Sequence, residues 1–260
     1  MNIVEIKEIV VETPSIKTFY FDQGLDIYPG QFVMVWIPGE DEYPMSLPFQ
    51  KDRQGITVRK VGPGTEALHS RKVGDRIGIR GPYGNGYDLF GEKILAVIGG
   101  IGGASVLPAI VEAAESGREV VCALGGRTEK ELLFLDRLSE LTDLKVATDD
   151  GSAGHHGFVT DLVEDLMHDI DLVITCGPEV MMKRVFQISK RYGVPIQASL
   201  ERYMKCGIGV CGSCVVDGLR VCAEGPVLNG PQLADLDEFG KCERDPTGKK
   251  VPLDRPKPSY

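Results

Sequence analysis

The apolar positions of the chain fall into two periodicities. Over residues 3–80 they come in short β-rich runs at 3–13, 16–21, 31–37, 55–60 and 75–80, with glycine, proline and other turn residues between them. Strands this short and this evenly spaced predict an antiparallel β-barrel over residues 1–90. Beyond Gly91 the pattern changes to compact apolar runs at 94–98, 120–124, 145–147, 172–175 and 196–198, separated by helix-like segments. That alternation predicts about five parallel strands in an α/β domain over residues 91–199, with helices over 104–116, from about 160, and after Pro178. Residues 200–245 form a third, short and glycine-rich segment. The last stretch, 246–260, carries four prolines and no periodicity, and predicts an extended tail that either packs on a partner or frays.

Length and charge narrow the classes of function. A chain of 260 residues has room for two compact domains and a small appendage. Its formal net charge of −9, with no basic stripe, excludes a nucleic-acid binder, since nothing is there to neutralise phosphates. The first residues mix charges into their apolar positions, so no signal peptide is expected, and no run approaches the length of a membrane span. The expectation is a cytoplasmic protein that keeps its thiols reduced, the setting in which clustered cysteines bind metal or do redox chemistry.

Four of the seven cysteines stand together, Cys206, Cys211, Cys214 and Cys222, separated by four, two and seven residues. Four thiolates that converge on two irons need a loop wrapped around the cluster, with backbone N–H groups turned to the sulfur. Gly207, Gly209 and Gly212 suit that loop, because they allow positive φ and close approach. A structural zinc site is the competing assignment and disulfides are a third. Zinc ribbons bring two cysteine pairs from separate hairpins, whereas three of these cysteines share one loop, which favours a [2Fe-2S] cluster. Cys242 lacks a glycine-rich context and is not counted as a ligand.

Three stretches of the barrel carry candidate chemistry: Tyr43-Pro44-Met45-Ser46-Leu47-Pro48, read as a loop, then 61–68 and 81–86. In the second, Gly62 and Gly64 flank a proline before Thr65, and a short helix over 66–69 would aim backbone N–H groups and a hydroxyl at one spot. That is an anion site suited to a pyrophosphate, although such a motif alone also fits an ordinary barrel turn. In this order the three stretches are similar to the FAD-binding barrel of the ferredoxin–NADP reductase superfamily. The resemblance implies that Ser46 lies near the reactive edge of the flavin, as a catalytic position, with Pro44 and Met45 lining it and Gly62, Gly64 and Thr65 on the pyrophosphate. One departure stands out. Tyr43 occupies the place of the family's arginine, which removes a bidentate phosphate donor; either Arg59 or Lys60 compensates, or the flavin is held less tightly.

The first parallel strand ends in Gly99-Gly100-Ile101-Gly102-Gly103-Ala104-Ser105 and leads into a helix, the Rossmann-like context that makes a glycine run a dinucleotide site. Gly100 and Gly102 fit G-x-G-x-x-G, but Ser105 stands at the third position, and no acid follows about 20 residues later to take a ribose hydroxyl. The second strand ends at Arg127, which suits a 2′-phosphate, so NADP stays open beside the NAD that the resemblance favours. The fourth strand runs into Cys176-Gly177-Pro178, with Pro178 placed to start a helix. In the resembling reductases this turn faces the nicotinamide, which implies a catalytic position for Cys176. On residue type alone Cys176 reads as a buried apolar residue, as do Cys122, Met181 and Met182, with Met182 a further candidate for the pocket wall. His155 and His156 read as a solvated loop rather than a metal site.

The last strand continues through Ser199-Leu200-Glu201-Arg202-Tyr203-Met204 into the cysteine run, which closes as Val221-Cys222-Ala223-Glu224-Gly225-Pro226-Val227. Over residues 1–245 the whole resembles the electron-transfer subunit of class 1B dihydroorotate dehydrogenase. That resemblance implies FAD, a [2Fe-2S] cluster and NAD as cofactors, and an FMN-containing dihydroorotate dehydrogenase catalytic subunit as partner, in a heterotetramer of two subunit pairs. Electrons would pass from dihydroorotate through the cluster and FAD to NAD+, in pyrimidine biosynthesis, with no acid–base dyad in this chain and with Tyr203, Ile208 and Val210 at the docking contact. Related reductase subunits that serve ferredoxin or a sulfur substrate share the opening of the cysteine motif and remain an alternative; a non-catalytic redox sensor is a more distant one.

Overall fold

The computed structural model describes residues 1–49, 53–245 and 247–253. The N-terminal part holds seven strands: β1 (Asn2–Glu5), β2 (Glu8–Thr13), β3 (Ile16–Phe21), β4 (Phe32–Trp36), β5 (Glu42–Ser46), β6 (Gln54–Arg59) and β7 (Arg76–Tyr83), with helix α1 (Pro63–His69) before the last. They make two antiparallel sheets, β1-β7-β4-β5 and β2-β3-β6, closed over a core that includes Phe19, Phe21, Val33, Val35, Ile56 and Ile79. Two expectations are corrected here. The run 3–13 is two strands, one in each sheet, with the chain crossing between the sheets at Ile6 and Lys7. The stretch read as a loop around Tyr43 is strand β5, at the edge of its sheet, where a proline costs no ladder hydrogen bond. Pro44 pairs there with Met34.

The following sheet begins with β8 (Lys93–Gly99), α2 (Gly103–Glu115), β9 (Glu119–Gly126), α3 (Leu135–Leu141), β10 (Asp143–Thr148) and β11 (His155–His156). It continues with α4 (Thr160–Leu166), β12 (Leu172–Cys176), α5 (Glu179–Tyr192) and β13 (Ile196–Ser199). The order is β11-β10-β9-β8-β12-β13, with a further strand, β16 (Val227–Asn229), beside β13, so the five expected parallel strands are present and two more flank them. At one edge His155 and His156, exposed as expected, pair parallel with β10 instead of forming a loop. The continuous apolar runs are explained by burial on both faces: Leu95 and Val97 face one core, while Ile94, Ala96 and Ile98 face the other, against α2. Among the described residues no helix is long and apolar enough to cross a membrane.

The C-terminal segment is stitched into that sheet. After the cysteine loop come the hairpin β14 (Val215–Val216) and β15 (Leu219–Arg220), then α6 (Val221–Glu224), β16 (Val227–Asn229), α7 (Gly230–Ala234), β17 (Cys242–Arg244) and β18 (Lys250–Pro252). Strand β16 pairs antiparallel with β13. Cys214, Val216, Val221 and Cys222 thereby join the same core as Leu95 and Val97. The expected tail folds back in part, since β18 pairs with β17 and buries Val251; residues 254–260 lie outside the described residues.

Candidate functional site: two adjoining clefts and a cysteine loop

The barrel and the parallel sheet meet in a cleft of about 270 Å³. Strands β5 and β6 supply Tyr43, Pro44, Met45, Ser46 and Arg59 to its wall, α1 supplies Thr65, and the far side is made by Ser105, Cys176, Ser199, Arg202 and Met204. A second cleft of about 300 Å³ lies over the glycine turn, between Gly99, Gly100, Gly177, Pro178, Glu179 and Met182. Arg59, Ile101 and Glu201 line both clefts, so the two adjoin.

The phosphate-type loop differs in detail from its sequence reading. The Thr65 hydroxyl accepts from the amides of Val61 and Gly62 at 2.9 and 3.1 Å and donates to the Gly62 carbonyl. It therefore shapes the loop, and the Gly62 amide is committed to it, which leaves the first-turn amides of Gly64 and Thr65 to face a ligand. Tyr43 lies directly over Gly64: a Cβ there would stand 2.1 Å from the tyrosine Oη. Of the two candidate cations, Lys60 turns to Glu66 at 3.7 Å, and Arg59 lines the clefts. The third stretch, 81–86, braces the cysteine segment instead: Asn85 donates from its amide to the Gly225 carbonyl and from Nδ2 to the Glu224 carbonyl.

The glycine turn is built for close approach. A Cβ on Gly102 would meet the Cys176 carbonyl oxygen at 2.2 Å, so the turn and the end of β12 can touch only through glycine. Cys176 and Cys122 are both buried. Burial pushes the Cys122 thiol up to about 12 and drives Cys176 higher still, with the Glu201 carboxylate adding to the effect. At the end of β9, Arg127 Nε donates to Glu131 Oε2 at 3.0 Å. The amides of Asp149 and Asp150 bond to the Gly126 and Arg127 carbonyls, which brings two more acids to that corner. His155 Nε2 lies 3.5 Å from Asp161, a carboxylate too far along the chain for the sequence to pair with it.

Among the described residues no three Cys, His, Asp or Glu side chains converge on one point; the thiols of the loop are instead contacted by main-chain amides and a hydroxyl. Cys214 Sγ accepts from the Cys222 amide at 3.4 Å, and Cys211 Sγ donates to the Ser213 hydroxyl at 3.3 Å. The Gly209 amide donates to Cys222 Sγ at 3.1 Å and the Val210 amide to Cys206 Sγ at 3.4 Å. Gly207 and Gly209, with φ of +72° and +77°, turn these amides inward. Burial works against a thiolate at Cys206, but the amides of Cys211, Ile208 and Val210 outweigh it and bring the thiol down to about 6. Burial, with the Cys214 thiol beside it, pushes Cys222 up to about 12. Amides aimed at the sulfurs of Cys206, Cys214 and Cys222, two of them from one glycine-rich loop, fit an iron–sulfur cluster, where hydrogen bonds to sulfur set the potential, better than a zinc ribbon with its two separate cysteine pairs. Cys242 lies in β17 and makes no contact with these sulfurs among the described hydrogen bonds.

Several residues that organise this site were not legible as such. Arg80 on β7 donates to the Cys206 carbonyl at 3.0 Å and to the Tyr83 hydroxyl, while its other arm holds Glu42 on β5. Arg202 and Glu179 form a buried bidentate pair, and the same carboxylate accepts the Gly240 amide at 2.7 Å. Spacing gives no signal for either, since Glu42 and Cys206 lie 38 and 126 residues from Arg80, and Glu179 lies 23 from Arg202 and 61 from Gly240.

Residues 201–234 match the iron-sulfur cluster binding domain of dihydroorotate dehydrogenase B. A probable dihydroorotate dehydrogenase B (NAD(+)) electron transfer subunit of Methanocaldococcus jannaschii is 48% identical over 253 residues, covering 96% of this chain and 97% of its own. The protein of the same description from Methanocella arvoryzae is 48% identical over 252 residues, covering 94% and 96%. Among solved structures, that of an NADH-dependent reduced ferredoxin-NADP oxidoreductase, described for flavin-based electron bifurcation, superposes with a TM-score of 0.81 at 30% identity over 89% of each chain. Phthalate dioxygenase reductase shares the fold, with a TM-score of 0.60 at 20% identity, over 73% of this chain and 64% of that one.

Proposed function

Since the chain belongs to the family of dihydroorotate dehydrogenase B electron transfer subunits, we propose that it binds FAD, NAD and a [2Fe-2S] cluster in line, and carries electrons from a dihydroorotate-oxidising partner to NAD+. One observation supports this ordering above the others. The two clefts share Arg59, Ile101 and Glu201, and Met204, on the wall of the first cleft, stands two residues before Cys206. When bound, the flavin supplies the exchange between hydride chemistry at a nicotinamide and one-electron chemistry at an iron–sulfur centre.

The residues then have distinct tasks. Ser46, Pro44 and Met45 border the ring end of the first cleft, and Tyr43 packs over the Gly64 and Thr65 amides that hold the flavin's diphosphate. Arg59, rather than Lys60, supplies the cation at the junction. Gly99, Gly100, Gly102 and Gly103 receive the nucleotide's diphosphate, and Cys176, Gly177 and Pro178 form the floor and side of the hydride-transfer pocket. Arg127 is engaged by Glu131 with Asp149 and Asp150 nearby, and that acidic corner favours NAD over a nucleotide with a 2′-phosphate. Cys206, Cys211, Cys214 and Cys222 would together hold the [2Fe-2S] cluster, which would supply one-electron transfer.

The partner is an FMN-containing catalytic subunit, in a heterotetramer of two subunit pairs working in the cytoplasm in pyrimidine biosynthesis. Its docking face comprises Tyr203 and the cysteine loop, where Ile208 and Val210 are 56% and 79% exposed. The test is composition and activity of the purified protein. Bound FAD, the iron and sulfide of one [2Fe-2S] cluster, and NADH-dependent dye reduction are expected; a zinc-loaded protein without flavin would overturn the reading.

A further inference from the structure

Strands β17 and β18 form a hairpin with two unlike faces. Glu243 pairs with Val251 and Arg244 with Lys250, and the alternation of a strand sends neighbouring side chains to opposite sides. On one side Arg244 and Lys250 both reach the buried Glu238 carboxylate, and Arg244 Nε donates to the Val215 carbonyl at 3.2 Å, which fastens the hairpin to the cysteine segment. On the other side Val251 is buried, and Glu243 and Leu253 enter the wall of the second cleft. The root of the hairpin shows which end of that cleft it closes. The Gly240 amide donates to Glu179 Oε1 at 2.7 Å, and a Cβ on Gly240 would stand 2.7 Å from that of Lys183, so the chain is seated on the start of α5, next to Pro178.

The charges along this cleft are sorted by position. Arg59 lies at the glycine turn, where a Cβ on Gly100 would stand 3.8 Å from its Nη1, whereas Glu243 enters from the Pro178 side. Of the other acids on the wall, Glu179 is held by Arg202, and Glu201 stands where the two clefts join. A cation over the diphosphate turn and a carboxylate toward the ring floor repeat the charge pattern of an oxidised nicotinamide dinucleotide, whose diphosphate is negative and whose ring is positive. The reduced ring is neutral, so a carboxylate beside it gains no such attraction.

Resting on the reading of this cleft given under Proposed function, we propose that Glu243 is a specificity-determining residue of the nucleotide site, whose carboxylate serves the nicotinamide end and favours NAD+ over NADH. The anchorage at Glu238 holds the hairpin in place, and Leu253 closes the wall beside it. A site that binds the oxidised nucleotide more tightly than the reduced one lets its product go more readily, which suits a chain that reduces NAD+.

Equilibrium titrations of the oxidised holoprotein test this with three probes. They are NAD+; tetrahydro-NAD, a ring-saturated stand-in for NADH with no charge on its ring and no hydride to give; and ADP-ribose, which has no nicotinamide. Glu243→Gln is expected to raise the Kd for NAD+ roughly threefold to tenfold and to leave those for tetrahydro-NAD and ADP-ribose within about twofold of the wild type. Glu243→Asp, which keeps the charge, is expected to stay nearer the wild type with NAD+, and thermal melting of both variants reports on the hairpin. An unchanged Kd for NAD+, equal weakening of all three probes, or equal losses with Gln and Asp would overturn the inference and leave the assignment of the cleft standing. Failure of the wild type to bind any of the three would overturn that assignment and the inference with it.

Discussion

The Arg80 guanidinium donates to the main-chain carbonyl of Cys206 at 3.0 Å and thus ties the flavin-side barrel to the first cysteine of the metal loop. The other side of the same guanidinium is held by Glu42, which raises the arginine's pKa further and keeps it charged. Arg80→Gln removes a charge-assisted bond at a partly buried site and is expected to cost about 1–3 kcal/mol. It should also alter the electron paramagnetic resonance of the reduced cluster. Loss of stability in urea with an unchanged spectrum would separate Arg80 from the cluster.

The pair of Arg202 and Glu179 is a second tie, between the chain entering the cysteine loop and the helix that begins beside Pro178. The side chains are 3% and 7% exposed, so removal of one strands a buried charge. Arg202→Met is expected to destabilise the protein by about 3–5 kcal/mol, and the double variant Arg202→Met/Glu179→Met to recover much of that loss. Denaturant unfolding of the three proteins is the measurement; equal losses in single and double variants would contradict it.

Gly102 and Gly103 are adjacent but unequal. The methyl of Gly102→Ala would collide with main chain at 2.2 Å, whereas that of Gly103→Ala would find Leu133 at 3.5 Å, an ordinary contact. The first is expected to raise the KM for NADH by on the order of tenfold and to lower the melting temperature. The second should leave the melting temperature near that of the wild type. Identical behaviour in melting would mean that the turn has more room than its geometry indicates.

Burial lowers the pKa of His69, against the bond of its ring to the Val58 carbonyl, and Lys17 and Lys60 add to the lowering. The folded protein therefore favours the neutral ring, while the unfolded chain takes up a proton near the ordinary 6.5. The contribution to stability is complete above that pH and is lost as the pH falls through the folded value. His69→Gln is expected to make the urea midpoint less sensitive to pH between about 7.5 and about 5.5. An unchanged slope would place the proton uptake elsewhere.

Much of this was legible in the chain, and the parts that were not share a physical cause. The parallel strands announce themselves because residues such as Leu95 and Ile94 are buried on opposite faces, which forces an unbroken apolar run. The cysteine spacing and its glycines likewise fix a loop by local geometry. Strand β5 was hidden by Pro44, which reads as a loop signal unless the strand is known to be an edge. The two added strands, at His155 and at Val227, are only two and three residues long and take their shape from a neighbour's free edge. The Thr65 hydroxyl, read as facing a ligand, is engaged within its own loop by the Val61 and Gly62 amides and the Gly62 carbonyl, contacts that the motif alone does not show. Ser105 looked like a flawed glycine motif, because its partner Ser199 is 94 residues away.

The central claim is that electrons reach NAD+ from a partner through the cysteine loop and the adjoining clefts. Stopped-flow NADH formation from dihydroorotate and NAD+, with the FMN-containing catalytic subunit present, tests it most directly when wild type and Cys222→Ser are compared. The account predicts that the wild-type chain supports NADH formation and that Cys222→Ser abolishes it while keeping most NADH–dye activity, since hydride exchange at the flavin does not pass through iron. Undiminished NADH formation with Cys222→Ser, or equal loss of both activities, would contradict it.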